Sequence, residues 1–135
     1  MIYLDTSALV KLVVQEPESA DLLRWLADVD DRDYVTSAVG RVELMRAALL
    51  SADTAIIAGA QRILDEDLDI LAVTDDVIET AETIGPQFLR SLDAIHLASV
   101  AQLAGALTAV IAYDHRLVEG CRHLNVPVES PGAGR

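Results

Sequence analysis

The sequence predicts a three-layer α/β/α sandwich with a mostly parallel central sheet. Its strand-like runs, such as residues 2–4 and 109–113, are apolar throughout and do not alternate with polar residues, which indicates strands buried on both faces. These runs alternate along the chain with longer helical patterns, an order typical of a parallel sheet covered by helices. Hydrophobic residues make up 52% of the 135 residues, enough to fill the core of one domain without disulfides.

The predicted elements follow one another with short connections. Strands are expected at residues 2–4, 34–36, 68–73, 109–113 and, at the edge of the sheet, 126–128. Helices are expected at residues 7–14, 18–29, 38–50, 54–64, 75–85 and 92–104, with a short one after the strand at 109–113. The predicted caps and stops of these helices are Asp53, Thr74, Ser91, Gly85 and Gly105. Residues 1–129 are thus expected to form a single domain, and residues 130–135 a flexible tail.

Composition restricts the compartment in which the chain is expected. Cys121 is the single cysteine, so no disulfide can form within the chain, and a buried thiol in a cytoplasmic protein is expected. The first residues lack the basic and apolar regions of a secretory signal. The uncharged stretch 97–113 is shorter than the ~20 apolar residues of a membrane span, so no membrane association is expected.

The net charge of −12 restricts the class of partner. Ten basic residues stand against 22 acidic ones, which argues against strong non-specific binding to DNA or RNA. Nine of the ten cations are Arg, the side chain best suited to planar phosphate contacts. The balance favours a cationic partner, either a metal ion or a protein.

Two aspartates directly follow predicted strands. Asp5 comes after the strand at 2–4, and Asp114 comes after the strand at 109–113. Ligands of open parallel sheets bind beyond the carboxyl ends of the strands, so both positions favour a functional site. Asp is also a common helix cap, and each residue taken alone is explained equally well in that way.

Glu43 lies on an apolar helical stripe. The stripe is formed by Val39, Ala47 and Leu50, where an unpaired carboxylate is costly. A salt bridge to Arg46, three residues later, is the structural alternative. The pattern favours a functional role over the salt bridge.

Asp93 occupies the first turn of a predicted helix. The helix dipole favours an acid there by about 0.3–1 kcal/mol, so a purely structural role stays open beside a functional one. His96 follows one turn later among apolar neighbours. It is expected to hydrogen-bond a neighbouring side chain and not to bind a metal.

Four carboxylates in one place would repel one another. At ~4 Å and an effective dielectric constant of about 20, each pair costs on the order of 4 kcal/mol, and a divalent cation removes this cost. Oxygen donors without a Cys or His cluster select Mg²⁺ or Mn²⁺ over Zn²⁺. Such ions support hydrolysis of phosphodiester bonds. The spacing of the acids along the chain leaves their convergence open.

Four blocks of sequence resemble one known family. They are residues 1–12, Arg41-Val42-Glu43-Leu44, residues 92–98 (Leu-Asp-Ala-Ile-His-Leu-Ala) and Tyr113-Asp114-His115-Arg116-Leu117. In this order and spacing they resemble the motifs of PIN-domain proteins, specifically VapC-type toxins. The blocks extend from residue 1 to about residue 117, nearly the whole domain.

The resemblance implies a PIN fold and a Mg²⁺- or Mn²⁺-dependent endoribonuclease. By motif position, Asp5, Glu43, Asp93 and Asp114 would form an acidic metal site. Asp5 and Asp93 would bind the metal directly, and Glu43 would complete the shell or position the attacking water. Asp114 would bind a second metal or a metal-bound water, and Ser7 would support Asp5. This chain has Ala112 where many relatives have Thr, two residues before the last Asp.

The resemblance also implies partners. The chain would be the toxin of a toxin–antitoxin pair, inhibited by a small VapB-like antitoxin that occupies the acidic groove. An Arg-bearing antitoxin segment suits a protein of charge −12. The implied substrates are structured RNAs such as tRNA or rRNA. A homodimer is implied, with the helices around Leu22, Leu23 and Trp25 and around Ile56 and Ile57 as candidate surfaces.

Two other protein classes with an Asp after the first strand do not fit these residues. A haloacid-dehalogenase phosphatase needs a second Asp where this chain has Ser7, and a receiver domain needs adjacent acids after its first strand. The remaining alternative is a regulatory PIN-like module that binds RNA, DNA or protein without cutting. Four mutually repelling carboxylates favour the enzyme, because a binding module gains nothing from them.

Overall fold

The computed structural model describes residues 1–134 as a parallel sheet between two layers of helices. The strands are β1 (Ile2–Leu4), β2 (Tyr34–Ser37), β3 (Asp69–Leu71), β4 (Ala109–Ile111) and β5 (Val128–Glu129). The α-helices are α1 (Thr6–Val13), α2 (Ser19–Asp28), α3 (Ala38–Ser51), α4 (Thr54–Arg62), α5 (Asp75–Ala81), α6 (Ser91–Ala101) and α7 (His115–His123). A π-helix at Ile63–Asp67 extends α4, and a 3₁₀ helix occupies Ala104–Ala106.

β1 lies at the centre of the sheet. The strand order is β3-β2-β1-β4-β5, and every pairing is parallel. Leu4 in β1 pairs with Ile111 in β4, and the backbone N–H of Asp5 donates to the carbonyl of Ile111 at 3.1 Å. The carboxyl ends of two neighbouring strands therefore meet at one edge, and the chain segments bearing Asp5 and Asp114 leave the sheet there.

Alternate residues of β1 point into two separate cores. Ile2 and Leu4 pack with Leu9, Leu22 and Leu44 from α1, α2 and α3 on one face of the sheet. Side chains on the other face come from three strands and two helices, namely Tyr3, Val35, Val110, Leu97, Val100, Leu117 and Cys121. Burying a leucine side chain contributes about 1.5–3 kcal/mol, so both helical layers are held mainly by apolar contact. The predicted three-layer sandwich is confirmed.

The N-terminus of α6 differs from the prediction. Ser91 is the first helical residue, and the capping position belongs to Arg90. The Asp93 side chain accepts a hydrogen bond from the Arg90 backbone N–H at 3.4 Å, so the acid at the third position replaces the predicted serine cap. The helix also ends at Ala101, before Gly105, because the chain turns into the short 3₁₀ helix.

The predicted tail starts with residues that contact the sheet. The Ser130 hydroxyl donates to the carbonyl of Ala112, and the Tyr113 hydroxyl donates to the carbonyl of Pro131 at 2.7 Å. The flexibility of segment 130–135 stays a prediction, and Arg135 lies outside the described residues. Within residues 1–134, no helix is long and apolar enough to cross a membrane.

The apolar residues considered as a dimer surface are buried to different degrees. Leu22 is completely buried, and Trp25, Ile56 and Ile57 pack against the same core cluster. Of this group only Leu23 is largely exposed, at 57%. Leu22 is therefore excluded from a dimer surface, because it is used to cover the sheet. The helices around the other four residues stay candidates.

Candidate active site

The structure brings the four predicted acids together in one pocket of about 240 Å³. Three of them stand at helix N-termini, since Asp5 caps α1, Asp93 is the third residue of α6 and Asp114 caps α7. Glu43 reaches the pocket from within α3. The complete lining is Asp5, Thr6, Ser7, Glu43, Leu92, Asp93, His96 and Asp114.

Asp5 is held in one orientation at the end of β1. Its Oδ1 accepts hydrogen bonds from the Ser7 hydroxyl at 2.6 Å and the Ala8 backbone N–H at 2.9 Å. The Ser7 hydroxyl in turn accepts from the backbone N–H of Tyr113 at 2.8 Å. Burial raises the pKa of the Asp5 carboxyl to about 6, against the opposing effect of these two hydrogen bonds. Asp5 is thus a buried acid that is costly to ionise in the metal-free protein.

Glu43 is held by a hydroxyl and an imidazole instead of by an arginine. Its Oε1 accepts from the Thr6 hydroxyl at 2.6 Å and lies 2.9 Å from Nε2 of His96. The hydrogen bond to His96 is the main cause that lowers the pKa of the Glu43 carboxyl, against the effect of burial. The predicted alternative, a salt bridge with Arg46, is not among the ion pairs of residues 1–134, and Arg41 pairs with Asp65 at 3.7 Å.

The predicted position of Glu43 on the buried stripe of α3 is wrong. The buried face of this helix carries Gly40, Leu44 and Ala48, whereas Leu50 is 87% exposed. Glu43 lies beside the buried face, with 29% of its side chain accessible. This placement lets the carboxylate reach the pocket without complete loss of hydration.

The carboxylates of Asp93 and Asp114 lie close enough to repel each other when both are charged. Burial and then the charge of Asp114 raise the pKa of Asp93. Asp114 Oδ1 accepts from the backbone N–H groups of Arg116 and Leu117, at 2.9 and 3.2 Å. Both predicted structural roles, an acid in a first turn and a helix cap, are therefore real and coexist with the placement of these acids in the pocket.

The chemistry of the donor set fits a hard divalent cation. Each of the four carboxylates uses one oxygen in the hydrogen bonds described above, and the second oxygen has no hydrogen bond to residues 1–134. Carboxylate oxygens are the donors that Mg²⁺ and Mn²⁺ prefer. Within residues 1–134, no group of three or more Asp, Glu, His or Cys side chains is already spaced to hold one ion. Ion binding therefore requires the free oxygens to turn toward a common point.

Two larger cavities lie away from these acids. One of about 620 Å³ lies between α5 and α6, and one of about 630 Å³ lies between α2, α4 and the π-helix. Neither is lined by any of the four acids. The smaller pocket is the one whose residues can support hydrolysis, because chemistry depends on the groups present and not on volume.

The family model for the PIN domain matches residues 2–122. This chain belongs to the PIN domain family. Ribonuclease VapC47 of Mycobacterium tuberculosis is 51% identical to it, and the match covers the full length of both chains. Ribonuclease VapC46 of the same species is 42% identical over 96% of this chain and 97% of its own length. The resemblance to VapC-type PIN domains is therefore confirmed.

Solved structures share the fold at lower sequence identity. FitAcB from Neisseria gonorrhoeae has a TM-score of 0.73 at 19% identity and covers 98% of this chain and 99% of its own. The sarcin-ricin loop cleaving toxin VapC20 of Mycobacterium tuberculosis has a TM-score of 0.70 at 19% identity, covering 88% and 94%. VapBC2 from Rickettsia felis, bound to a DNA fragment from its promoter, has a TM-score of 0.65 at 18% identity, covering 96% and 98%. These likenesses support the three-layer PIN fold.

Sequence reasoning missed Thr6 in the pocket of this PIN domain. Thr6 joins Asp5 and Ser7 in a run of three polar residues, and its hydroxyl is the one that contacts Glu43. The sequence feature that could have identified Thr6 is a hydroxyl directly after an Asp at the end of a strand. Lys11, one turn beyond Ser7 on α1, does not line the pocket. Its ammonium pairs with Glu16 and Glu18 at 3.2 and 3.0 Å.

Proposed function

We propose that this PIN domain hydrolyses RNA with Mg²⁺ or Mn²⁺ at the pocket of Asp5, Glu43, Asp93 and Asp114. As a VapC-type protein, the chain is an endoribonuclease and the toxin of a toxin–antitoxin pair. The observation that supports the metal site is the meeting of four carboxylates, each with a free oxygen, in one pocket. Without a cation their mutual repulsion would act against the folded state.

The four acidic residues of the pocket have different proposed roles. Asp5 and Asp93 would hold the ion, since Ser7 and the Ala8 N–H already fix one Asp5 oxygen and leave the other free. Glu43 would complete the shell or position the attacking water through its free oxygen, and Asp114 would support a second ion or an ordered water. A bound divalent ion supplies Lewis-acid stabilisation of the charge that develops on the phosphodiester and makes a nearby water more acidic.

Cleavage of total cellular RNA by purified, partner-free protein tests this proposal. We expect discrete fragments that require Mg²⁺ or Mn²⁺ and that disappear in Asp5→Asn and in Asp93→Asn. Sequencing of the fragment ends then identifies the substrate, for which structured tRNA or rRNA is expected. The amide keeps an acceptor oxygen for the cap hydrogen bonds, so folding is preserved while the charge is removed.

The chain provides matched controls for both variants. Asp53→Asn alters another aspartate cap, on α4, and Asp76→Asn alters another first-turn acid, on α5, both outside the pocket. Both controls should cleave like the wild type. If the metal-replete wild type binds RNA without cleaving it, the proposed nuclease activity is wrong. The chain would then be the non-cleaving binding module. Equal cleavage by the site variants would place the active site elsewhere.

An antitoxin partner accompanies this function. The solved relatives include the two-component VapBC2, so we expect a small VapB-like protein here. We propose that an Arg-bearing segment of it covers the acidic pocket, because guanidinium pairs bidentately with carboxylate. Co-expression with the product of a short reading frame immediately upstream should yield a complex without nuclease activity. A complex that cleaves RNA at the wild-type rate would contradict coverage of the pocket.

We also propose that the chain forms a homodimer and that it acts in the cytoplasm. Exposed leucine and valine side chains on α3 support a self-association surface, namely Val42, Leu49 and Leu50. The lone buried Cys121 suits a reducing compartment. Sedimentation equilibrium should give twice the chain mass of 14.5 kDa, and Leu49→Glu should give the single mass. A monomeric wild type would refute the dimer.

A further inference from the structure

His96 connects the core of the molecule to the pocket. It lies on α6 one turn after Asp93 and is 3% exposed. Its Nδ1 lies 2.7 Å from the hydroxyl of Tyr3, a completely buried residue at the centre of β1. Its Nε2 lies 2.9 Å from Oε1 of Glu43. Three residues from three elements therefore form a chain of hydrogen bonds from the sheet to a carboxylate of the pocket.

Donor and acceptor counting assigns the hydrogen between His96 and Glu43. An ionised carboxylate only accepts, so Nε2 of His96 donates to Glu43. Nδ1 accepts from the Tyr3 hydroxyl when the ring is neutral and donates to the Tyr3 oxygen when the ring is protonated, so the contact holds the ring in both forms. The Thr6 hydroxyl donates to the same Glu43 oxygen at 2.6 Å. Both ring nitrogens of His96 are thus used inside the protein.

The imidazole ring has little room to turn. The Tyr3 ring meets it edge to face, with ring centres 5.9 Å apart and an interplanar angle of 82°. On the side of α3, a Cβ on Gly40 would lie 3.5 Å from His96 Cε1 and 2.2 Å from Thr36 Oγ1. The absence of a side chain at Gly40 therefore allows α3 to approach α6 and β2 closely. The ring is held by packing as well as by hydrogen bonds.

We propose that His96 is a positioning residue that, anchored by Tyr3, fixes Oε1 of Glu43 and directs the free Oε2 into the pocket. This inference rests on the proposed metal-dependent function, to which it adds two residues. A glutamate side chain has several freely rotating bonds, and holding one oxygen in place orders the other before an ion or water arrives. Partners behind a ligand commonly tune metal binding in this way.

The test uses Tyr3→Phe and His96→Gln in the full chain. Tyr3→Phe removes the hydroxyl and keeps the ring, so the anchor of Nδ1 is lost while the core stays filled. We expect the Mn²⁺ dissociation constant, measured by calorimetric titration, to rise about tenfold. His96→Gln offers an amide N–H toward Glu43 and should retain affinity better than His96→Leu. Tyr34→Phe, in the strand next to β1, is the matched control and should bind Mn²⁺ like the wild type.

Nitrogen NMR of the histidine rings in the metal-free protein provides a readout that does not depend on the ion. At a pH where the ring is neutral, the wild type should show His96 as the single tautomer with hydrogen on Nε2. Tyr3→Phe should mix the tautomers, and Glu43→Gln should shift the Nε2 resonance. A merely structural role of His96 would lower the melting temperature of the variants and leave their Mn²⁺ affinity unchanged, which would overturn the proposal.

The two proposals fail in distinguishable ways. If the wild type binds no Mn²⁺, the proposed metal site is wrong, and the NMR experiment still decides whether His96 holds Glu43. If the wild type binds Mn²⁺ and Tyr3→Phe changes neither the affinity nor the His96 tautomer, the metal site stands and the positioning role is wrong.

Discussion

Asp5 combines burial, hydrogen bonding and charge in one side chain. It is only 3% exposed, and its pKa of about 6 lies above the value of about 3.9 expected in an unfolded chain. Between these two values the folded protein binds more protons than the unfolded protein. The free energy of unfolding therefore falls as the pH rises through this window, and the loss is complete above pH 6. The Asp5 carboxyl thus lowers the stability of the metal-free protein.

We predict that Asp5→Asn stabilises the metal-free protein at pH 7.5 by roughly 1–3 kcal/mol, a figure set by a shift of about two pKa units. The amide oxygen still accepts from Ser7 and Ala8, and the buried charge is removed. At pH 4 the wild-type carboxyl is protonated and the gain should vanish. Denaturant unfolding at both pH values measures the difference. Asp53→Asn, an exposed cap, should show no gain at pH 7.5, and a destabilised Asp5→Asn would contradict the cost assigned to Asp5.

At the scale of elements, the pocket is the meeting point of three helix starts. α1 and α7 leave neighbouring strands at the same sheet edge, and α6 brings its first turn beside them. Positive helix N-termini favour the carboxylates placed there, which offsets part of their repulsion. α3 adds Glu43 from the side, because it crosses close to α6 at Gly40. The close approach of α3 is therefore a condition for a complete site.

We predict that Gly40→Ala destabilises the protein by about 1–3 kcal/mol, as expected for overpacking of a dense core. The new methyl group would lie 2.2 Å from Thr36 Oγ1, whose hydroxyl donates to the Leu4 carbonyl at 2.7 Å. Thermal unfolding measures the effect. Gly59→Ala on α4 is the control, because its Cβ would meet Val13 at an ordinary 3.7 Å and alanine favours helix. Unchanged stability of Gly40→Ala would show that α3 can move away.

At the scale of the whole molecule, about half of the cationic side chains within residues 1–134 already have a salt bridge or a hydrogen bond to a carbonyl. Among the described residues, Lys11, Arg24, Arg41 and Arg122 form salt bridges, and Arg32 donates to carbonyls at the end of α2. Arg116, in the first turn of α7, is exposed and forms no salt bridge within residues 1–134, yet its charge acts on Asp93. It is thus a cation available to an RNA phosphate at the edge of the acidic pocket.

We predict that Arg116→Gln weakens RNA binding and reduces its dependence on salt concentration by about one released counterion. Filter binding of the Asp93→Asn protein, which we expect to be unable to cleave RNA, measures this at several salt concentrations with and without Arg116→Gln. Arg62→Gln removes a cation that lines a different cavity, so its effect should be smaller. Equal effects of the two substitutions would mean that only the total charge matters.

We also predict that millimolar Mg²⁺ or Mn²⁺ raises the melting temperature of the free protein. An ion that binds only the folded state adds about 2.7 kcal/mol at a concentration 100 times its dissociation constant. Asp93→Asn should shrink the gain, and Asp76→Asn should not. An undiminished gain in Asp93→Asn would mean that the ion binds elsewhere.

The sequence by itself determined the fold class and predicted the four acids that share the pocket. Apolar strand runs and helical periodicity are local properties, and they led to a parallel three-layer sheet with elements close to those observed. Asp5 and Asp114 were found because strand ends in a parallel sheet share one edge, a rule that needs no coordinates. Glu43 and Asp93 required the motif resemblance as well, since neither follows a strand directly.

Only the tertiary structure decided what holds the acids. The stripe assigned to Glu43 was wrong because which side of α3 is buried depends on the helices packed against it, and these are distant in sequence. The contacts of Glu43 with Thr6 and His96 span 37 and 53 residues, and that of His96 with Tyr3 spans 93. Local patterns carry no information about such pairs, because the distances between them are set by packing of the complete chain.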